Sequence, residues 1–309
     1  MLSDRLQKIK AMDETYCLKK NAYISFSGGK DSTVLSKLVD LALPGNEIPR
    51  VYLDTGIDYR AVREFVIEFA ENDARVRVVK PAKDIRKTLC EDGYPFKSKE
   101  HSQKLALFQR SGMTKTVRDY LGLGTKRTFL CPKRLQGQFR EGYALKVSDM
   151  CCSRLKKEPA DKWAESNGKT VTITGVRKGE GGLRRSMQGC AVFRDKEGKD
   201  LKKFHPLFPV SDEWVDEFVK AYGVRLCELY YPPFDFKRTG CSGCPFNPDL
   251  ERDLEVLERL LPCEKKKAEA VWRPVYEEYR RLGYRLSGQR ELGDLDEDKN
   301  EERRTAGKD

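Results

Sequence analysis

The sequence predicts an α/β protein, a doubly wound and mostly parallel sheet with a basic helical insertion and a C-terminal helical segment. Three observations lead there. An apolar strand at Tyr23–Phe26 runs through a Gly-Gly turn into an apolar-periodic helix. Two further apolar runs, Arg50–Asp54 and Arg75–Val79, are separated by a helical pattern, and strands alternating with helices build parallel sheets. Lys169-Thr-Val-Thr-Ile-Thr-Gly175 is rich in β-branched residues, as a buried strand requires.

In chain order, residues 1–18 read as a short amphipathic helix, 23–26 as the first strand and 32–43 as the helix after the turn. Arg50–Asp54 is the second strand, ended by Thr55-Gly56. Val62, Phe65, Val66 and Phe69 pattern a helix over 59–70, and Pro81 stops the third strand. The stretch 84–147 breaks the rhythm: its glycines suggest two or three short helices inserted as a lid. Regular structure resumes at 169–175, followed by a helix over 214–222, a compact loop at 241–248 and one or two charged amphipathic helices over 249–282. The division expected is a nucleotide-binding domain at 1–247, a helical segment at 248–290 and a charged, disordered tail at 291–309, where eight acids meet four bases.

Composition bounds the function. At 309 residues the chain can bury a substantial core, and it lacks a run of about 18 apolar residues. The N-terminus also lacks the apolar core of a signal peptide, so a cytoplasmic protein without a membrane partner is expected. Ten cysteines in such a compartment argue against a disulfide framework and for metal or redox chemistry where they cluster. Cys17, Cys90, Cys131, Cys190 and Cys227 stand alone and are expected to be ordinary buried thiols. The net charge of +11 favours polyanionic partners. Residues 97–146 concentrate it, with twelve Lys or Arg against three acids, which marks either a solvated helical face or a surface for nucleic acid.

The most informative stretch is Tyr23-Ile-Ser-Phe-Ser-Gly-Gly-Lys-Asp-Ser-Thr-Val-Leu35. Gly28 and Gly29 let the backbone bend and approach a ligand, and the helix opening near Ser32 aims N–H groups and a positive dipole end at an anion. Lys30 adds a point charge. The spacing differs from Gly-x4-Gly-Lys-Ser/Thr and from Gly-x-Gly-x-x-Gly, which disfavours both the magnesium-bearing P-loop and the dinucleotide turn. In parallel sheets ligands sit beyond the carboxyl ends of strands, so Ser27–Ser32 and Asp54-Thr55-Gly56 are expected to line one crevice. Asp54 is read as a ribose or metal ligand or as a strand-end cap.

Cys151-Cys152 and Cys241-Ser-Gly-Cys244 supply four thiols in two tight groups. Four cysteines can hold tetrahedral zinc or a cubane iron–sulfur cluster, and adjacent cysteines suit a cluster better. Cys263 is a substitute ligand or a nucleophile. Arg177, Lys178, Arg184 and Arg185 follow the β-branched strand among Gly179, Gly181 and Gly182, a basic loop suited to anions because guanidinium presents a fixed fork of donors. His205 precedes a proline and is read as structural.

Ser27-Gly-Gly-Lys-Asp-Ser32 resembles the PP-loop of ATP pyrophosphatases, which cleave ATP between the α and β phosphates. Cys151-Cys-Ser-Arg-Leu-Lys-Lys-Glu-Pro159 is similar to the Cys-Cys-x3-Lys-x2-Pro signature of cluster-containing adenylylsulfate reductases. Gly175-Val-Arg177 with Arg184, Phe204-His-Pro-Leu207, Thr239-Gly-Cys-Ser-Gly-Cys244 and Leu53-Asp-Thr-Gly56 resemble that family's other motifs, in its order. The chain is thereby identified as a member of the phosphoadenylylsulfate reductase-like branch of PP-loop proteins, with an adenine nucleotide α-hydrolase-like fold. The resemblance implies a [4Fe-4S] cluster on Cys151, Cys152, Cys241 and Cys244, Arg177 and Arg184 facing an anionic substrate, and Lys156 near the cluster.

Two departures shape the expected activity. The reductases carry a catalytic cysteine in a C-terminal Glu-Cys-Gly-x-His segment that this sequence lacks, and the turn keeps both Lys30 and Asp31, which the reductases commonly relax. The favoured expectation is an ATP pyrophosphatase that adenylates an acceptor for sulfur transfer, with ATP, Mg2+ near Asp31 and a sulfur or electron donor protein. The rivals are a sulfonucleotide reductase acting on adenylyl sulfate and a nucleic-acid-binding accessory protein on the same fold.

Overall fold

The computed structural model describes residues 1–125, 129–180, 187 and 189–286, which fall into two compact units. Unit 1 comprises 1–84 and 154–242; unit 2 comprises 85–153 and the chain from 243.

Unit 1 is the sheet. Helices α1 (Leu2–Tyr16) and α2 (Leu18–Asn21) precede β1 (Ala22–Ser25), α3 (Lys30–Ala42), β2 (Arg50–Leu53), α4 (Arg60–Asn72) and β3 (Val76–Val79). A five-residue π-helical turn, Ser153–Lys157, leads into α9 (Glu158–Ser166), then β4 (Val171–Ile173), β5 (Ala191–Phe193), β6 (Leu201–Phe204) and α10 (Asp212–Ala221). The strand order is β3-β2-β1-β4-β6-β5, parallel throughout except for β5, which runs antiparallel to β6. One face buries Ile9, Leu18, Ile24, Val34, Leu38 and Phe204 under α1 and α3; the other packs Tyr23 and Val51 against Trp163 and Ala164 of α9. The order reverses at β1, whose neighbours are β2 and β4, so the crevice beyond β1 and β4 is the switch point at which such sheets bind ligands.

Unit 2 is helical: α5 (Ile85–Asp92), α6 (Lys99–Ser111), α7 (Lys115–Tyr120), α8 (Lys133–Gln136), α11 (Leu250–Leu260) and α12 (Pro262–Leu282). Among its described residues the insertion therefore holds four helices where two or three were expected. Its core is aromatic, with Phe96 edge-on to Tyr279 at 4.5 Å and Phe139 packed on Phe108, Tyr120 and His101. His101 is fully buried. Its Nε2 lies 2.9 Å from Gln138 Oε1 and its Nδ1 lies 3.0 Å from Tyr120 Oη; Gln138 Nε2 donates to Tyr143 Oη at 2.7 Å. Because Oε1 can only accept, Nε2 carries the ring proton and Nδ1 accepts from Tyr120.

A candidate phosphate-binding turn at the switch point

The turn after β1 is built from its own side chains. Ser32 Oγ donates to Gly29 O at 2.9 Å and accepts the Ser27 N–H at 3.1 Å. With its one proton spent, Ser32 must accept from Ser27 Oγ, 3.1 Å away, and Ser27 Oγ in turn takes the Gly29 N–H at 3.3 Å. Gly28 has φ +69°, and a Cβ there would stand 2.6 Å from Val66 Cγ2, so α4 admits nothing larger than glycine. Gly29 has extended backbone as the N-cap of α3 and carries no side chain to cap it, which leaves the helix's first N–H groups without a local side-chain acceptor. One is taken from afar: the Lys30 N–H donates to Tyr230 Oη at 3.0 Å.

Charged groups ring this turn in unit 1. Lys30 Nζ pairs with Asp216 Oδ1 at 2.9 Å, Arg177 Nε with Asp31 Oδ1 at 3.0 Å, and Arg177 Nη2 with Asp212 Oδ1 at 2.6 Å. Burial works against the Arg177 charge, but the Asp31 and Asp212 carboxylates outweigh it and hold the guanidinium above its ordinary value. The Arg177 guanidinium in turn holds the Asp212 carboxyl below the usual range. Gly175, at the end of β4, lets this happen: a Cβ there would meet Asp31 C and O at 3.0 Å. The turn after β1 and the segment after β4 thus touch at the switch point.

The turn after β2 is organised by a residue the sequence reading did not single out. Asp58 Oδ2 accepts from Thr55 N at 3.1 Å and from Thr55 Oγ1 at 2.8 Å, while Asp58 itself forms an antiparallel bridge with Cys241. Asp54 is buried; its Oδ1 accepts the Gly56 N–H at 3.3 Å and its Oδ2 accepts from Arg63 Nε at 3.1 Å, while Gly56 has φ +74°. His205 is buried with Nδ1 2.6 Å from Thr174 Oγ1, and its backbone N–H donates to Cys190 O. Arg184, with Arg185, lies outside the described residues, as does the tail at 291–309.

The sequence matches the phosphoadenosine phosphosulfate reductase domain over residues 21–128 and 131–247. The chain belongs to that family. The uncharacterized protein MJ0973 of Methanocaldococcus jannaschii is 35% identical over 250 residues, covering 79% of this chain and 47% of its own length. The chain thus spans about half the length of the curated relative it matches. The phosphoadenylyl-sulfate (PAPS) reductase of Candida auris, solved with phosphate, superposes with a TM-score of 0.45 at 13% identity, over 77% of this chain and 87% of the other. The U34-tRNA thiolase NcsA of Methanococcus maripaludis, with its [4Fe-4S] cluster, gives 0.40 at 14% identity, over 94% and 83%.

The four cysteines expected to bind a metal or cluster sit on two kinds of backbone. Cys151, buried, and Cys152, half-buried, form the helical turn that enters the π-turn at Ser153, a geometry frequent at functional sites. Cys241 is in unit 1, held by its bridge to Asp58 and by the Ser242 N–H donating to Ile57 O at 2.8 Å. Cys244 is in unit 2 with Cys151 and Cys152, on a loop fastened to α12: Tyr276 Oη donates to Gly243 O, and Tyr279 Oη donates to Pro245 O at 2.9 Å. Gly243 has φ +62°, and a Cβ there would stand 2.6 Å from Ala268 Cβ. Cys263 is exposed in the first turn of α12. Among the described residues no disulfide forms, and no three His, Cys, Asp or Glu side chains are gathered as a metal group. As donors, four thiols are compatible with tetrahedral zinc or with an iron–sulfur cluster, and Mg2+ needs only one or two carboxylates besides nucleotide phosphates.

One expectation needs correction. Cys17, at the C-cap of α1, and Cys90, near the end of α5, are exposed and Cys190 is only half-buried; Cys131 and Cys227 are buried as expected. In the basic stretch, Lys99, Arg110, Lys115, Arg118, Lys133 and Arg140 are exposed on unit 2, and Lys126 and Arg127 lie outside the described residues.

Proposed function

We propose that this chain is an ATP pyrophosphatase of the PAPS reductase family, which adenylates an acceptor for sulfur transfer and holds a [4Fe-4S] cluster. The observation that carries the reading is the uncapped start of α3 behind Gly28-Gly29, ringed by Lys30, Asp31 and Arg177 at the switch point of the sheet. The N–H groups there, with the helix dipole, would bind the leaving pyrophosphate. Lys30 is available for it, because its partner Asp216 is more than half exposed and such a pair is worth about 0–1 kcal/mol. Arg177, with Arg184, would steady the α-phosphate, while Asp31 would share a magnesium ion with the nucleotide. Asp54, Thr55 and Gly56 would border the ribose. An acceptor oxygen attacks the α-phosphorus, the bond to the bridging oxygen breaks, and pyrophosphate leaves. A sulfur nucleophile from a donor protein then displaces AMP.

Cys151, Cys152, Cys241 and Cys244 would hold the cluster, with Cys263 as a substitute. When bound, the cluster would supply iron–sulfur chemistry to the transfer, and an iron open to sulfur would require that one of the four thiolates not be a ligand. The exposed basic helices of unit 2 suit a nucleic-acid acceptor. Family membership itself favours a second reading, reduction of an adenylyl sulfate to sulfite, in which exposed Cys263 would be the nucleophile.

Anaerobically purified protein decides between them. Incubation with ATP and Mg2+ is expected to yield AMP and pyrophosphate, and iron with acid-labile sulfide is expected in the wild type but lost in Cys241→Ser and Cys244→Ser. Sulfite from adenylyl sulfates and a thiol, with no AMP from ATP, would replace this reading with the second. Iron retained in both serine variants would remove the ligand set.

A further inference from the structure

We infer that Tyr230 is a latch on the phosphate-binding turn: its hydroxyl holds the Lys30 N–H that a nucleotide phosphate needs, and its displacement passes occupancy of the turn to the Cys241 loop. The inference rests on the nucleotide reading above and adds to it a residue and a coupling.

Lys30 is the first residue of α3, so its N–H has no acceptor within the helix and is one of the donors an anion would take. Tyr230, at the end of the short 3-10 turn Glu228–Tyr230, reaches across 200 residues of sequence to place Oη 3.0 Å from that nitrogen. The phenol oxygen lies directly over the turn, since a Cβ built on Gly29 would be 3.2 Å from it. One N–H has one strong acceptor, so phenol and phosphate compete for it. A charged phosphate oxygen is the better acceptor and wins when nucleotide is supplied.

The same hydroxyl shares a 2.7 Å hydrogen bond with Thr239 Oγ1. Since Oη accepts from Lys30, its own proton is free to go to Thr239. Thr239 stands two residues before Cys241. The segment is therefore pinned twice within unit 1: at Thr239 through Tyr230 to the phosphate turn, and at Cys241 and Ser242 to Asp58 and Ile57 in the turn after β2. Displacing Tyr230 from Lys30 releases the first pin and leaves the second.

The sign of one substitution separates a latch from a packing or phosphate-binding tyrosine. Tyr230→Phe keeps the ring and removes the competitor. ATP–Mg2+ binding, followed calorimetrically, is expected to tighten about two- to tenfold, the equivalent of one net hydrogen bond that need no longer be broken. Hydrogen–deuterium exchange of peptides spanning 238–242 is expected to rise with ATP in the wild type and to be insensitive to ATP in the variant. Equal or weaker binding by a folded Tyr230→Phe overturns the latch while leaving the nucleotide reading intact. Should that variant fail to fold, Thr239→Val cuts the same tie, and an ATP response of 238–242 preserved in it overturns the coupling. Wild-type protein that binds no ATP removes the nucleotide reading and the latch together.

Discussion

Lys30 and Arg177 sit beside the same turn, but their surroundings differ in kind. Lys30 pairs with an exposed aspartate, whereas Arg177 is nearly buried between Asp31 and Asp212. Lys30→Ala should therefore abolish release of AMP and pyrophosphate at little cost in stability, about 0–1 kcal/mol for the exposed pair. The paired readouts are product assay and thermal melting; turnover that survives the substitution would refute the role given to Lys30. Residues of this turn were legible in the sequence because their chemistry is local: glycines, a lysine and serines within six positions of one another. Tyr230, Asp58, Asp212 and Asp216 were not, because they reach the site from elements distant in sequence, two of them from α10, and only the fold sets the meeting. A weak signal existed for Asp58, which follows Thr55 at the spacing where a carboxylate can bond back to a turn.

At the scale of elements, β1 to β4 stood out as short apolar or β-branched runs, and helices α3 and α4 because their apolar residues recur at helical spacing. Strands β5 and β6 did not: β5 is half-buried at every position on the sheet edge, and β6 buries only Leu201 and Phe204 around two lysines. Strand β2 hides a further surprise. Read as an apolar run, it begins with Arg50, whose side chain is fully buried. Arg50 Nη2 meets Asp40 Oδ1 at 2.5 Å, and its Nε donates to Ser36 Oγ at 3.1 Å. Asp40 is shared with Arg75 at 2.7 Å, which ties α3 to β2 and β3 at the edge away from the phosphate turn. Burial lowers the Arg50 pKa below its ordinary value, so the charge depends on these partners. Asp40→Ala should cost about 3 kcal/mol in urea unfolding, the low end for breaking a buried pair, because Asp40 is a third exposed and Asp73 remains 3.9 Å away. Arg50→Met should cost less, since it removes the buried charge along with its partner's need for it. A larger loss for Arg50→Met than for Asp40→Ala would show that the arginine stem, rather than its charge, holds the edge.

For the molecule as a whole, the stability of unit 2 carries a dependence on pH set by its fully buried histidine, His101. Burial pushes His101 down to about 3 from its ordinary value near 6.5, with Gln138 opposing that shift. In the unfolded chain this histidine takes up a proton as pH falls through about 6.5, while in the folded chain it stays neutral until about pH 3. The unfolded state thus binds more protons in that window, and the stability His101 contributes is complete above about pH 6.5 and lost as the medium is acidified. The slope is at most about 1.4 kcal/mol per pH unit, so unit 2 should lose about 2 kcal/mol by pH 5. That range lies above the carboxylates whose pairing lowers them, Glu278 in unit 2 and Asp40 and Asp73 in unit 1, so their protonation does not confuse it. Comparison of the wild type with His101→Gln isolates the effect, because the amide cannot titrate. Hydrogen exchange in α6 and α12 followed from pH 7 to pH 5 should accelerate in the wild type and change far less in the variant. Equal acid sensitivity in both proteins would move the cause from His101 to the rest of the chain.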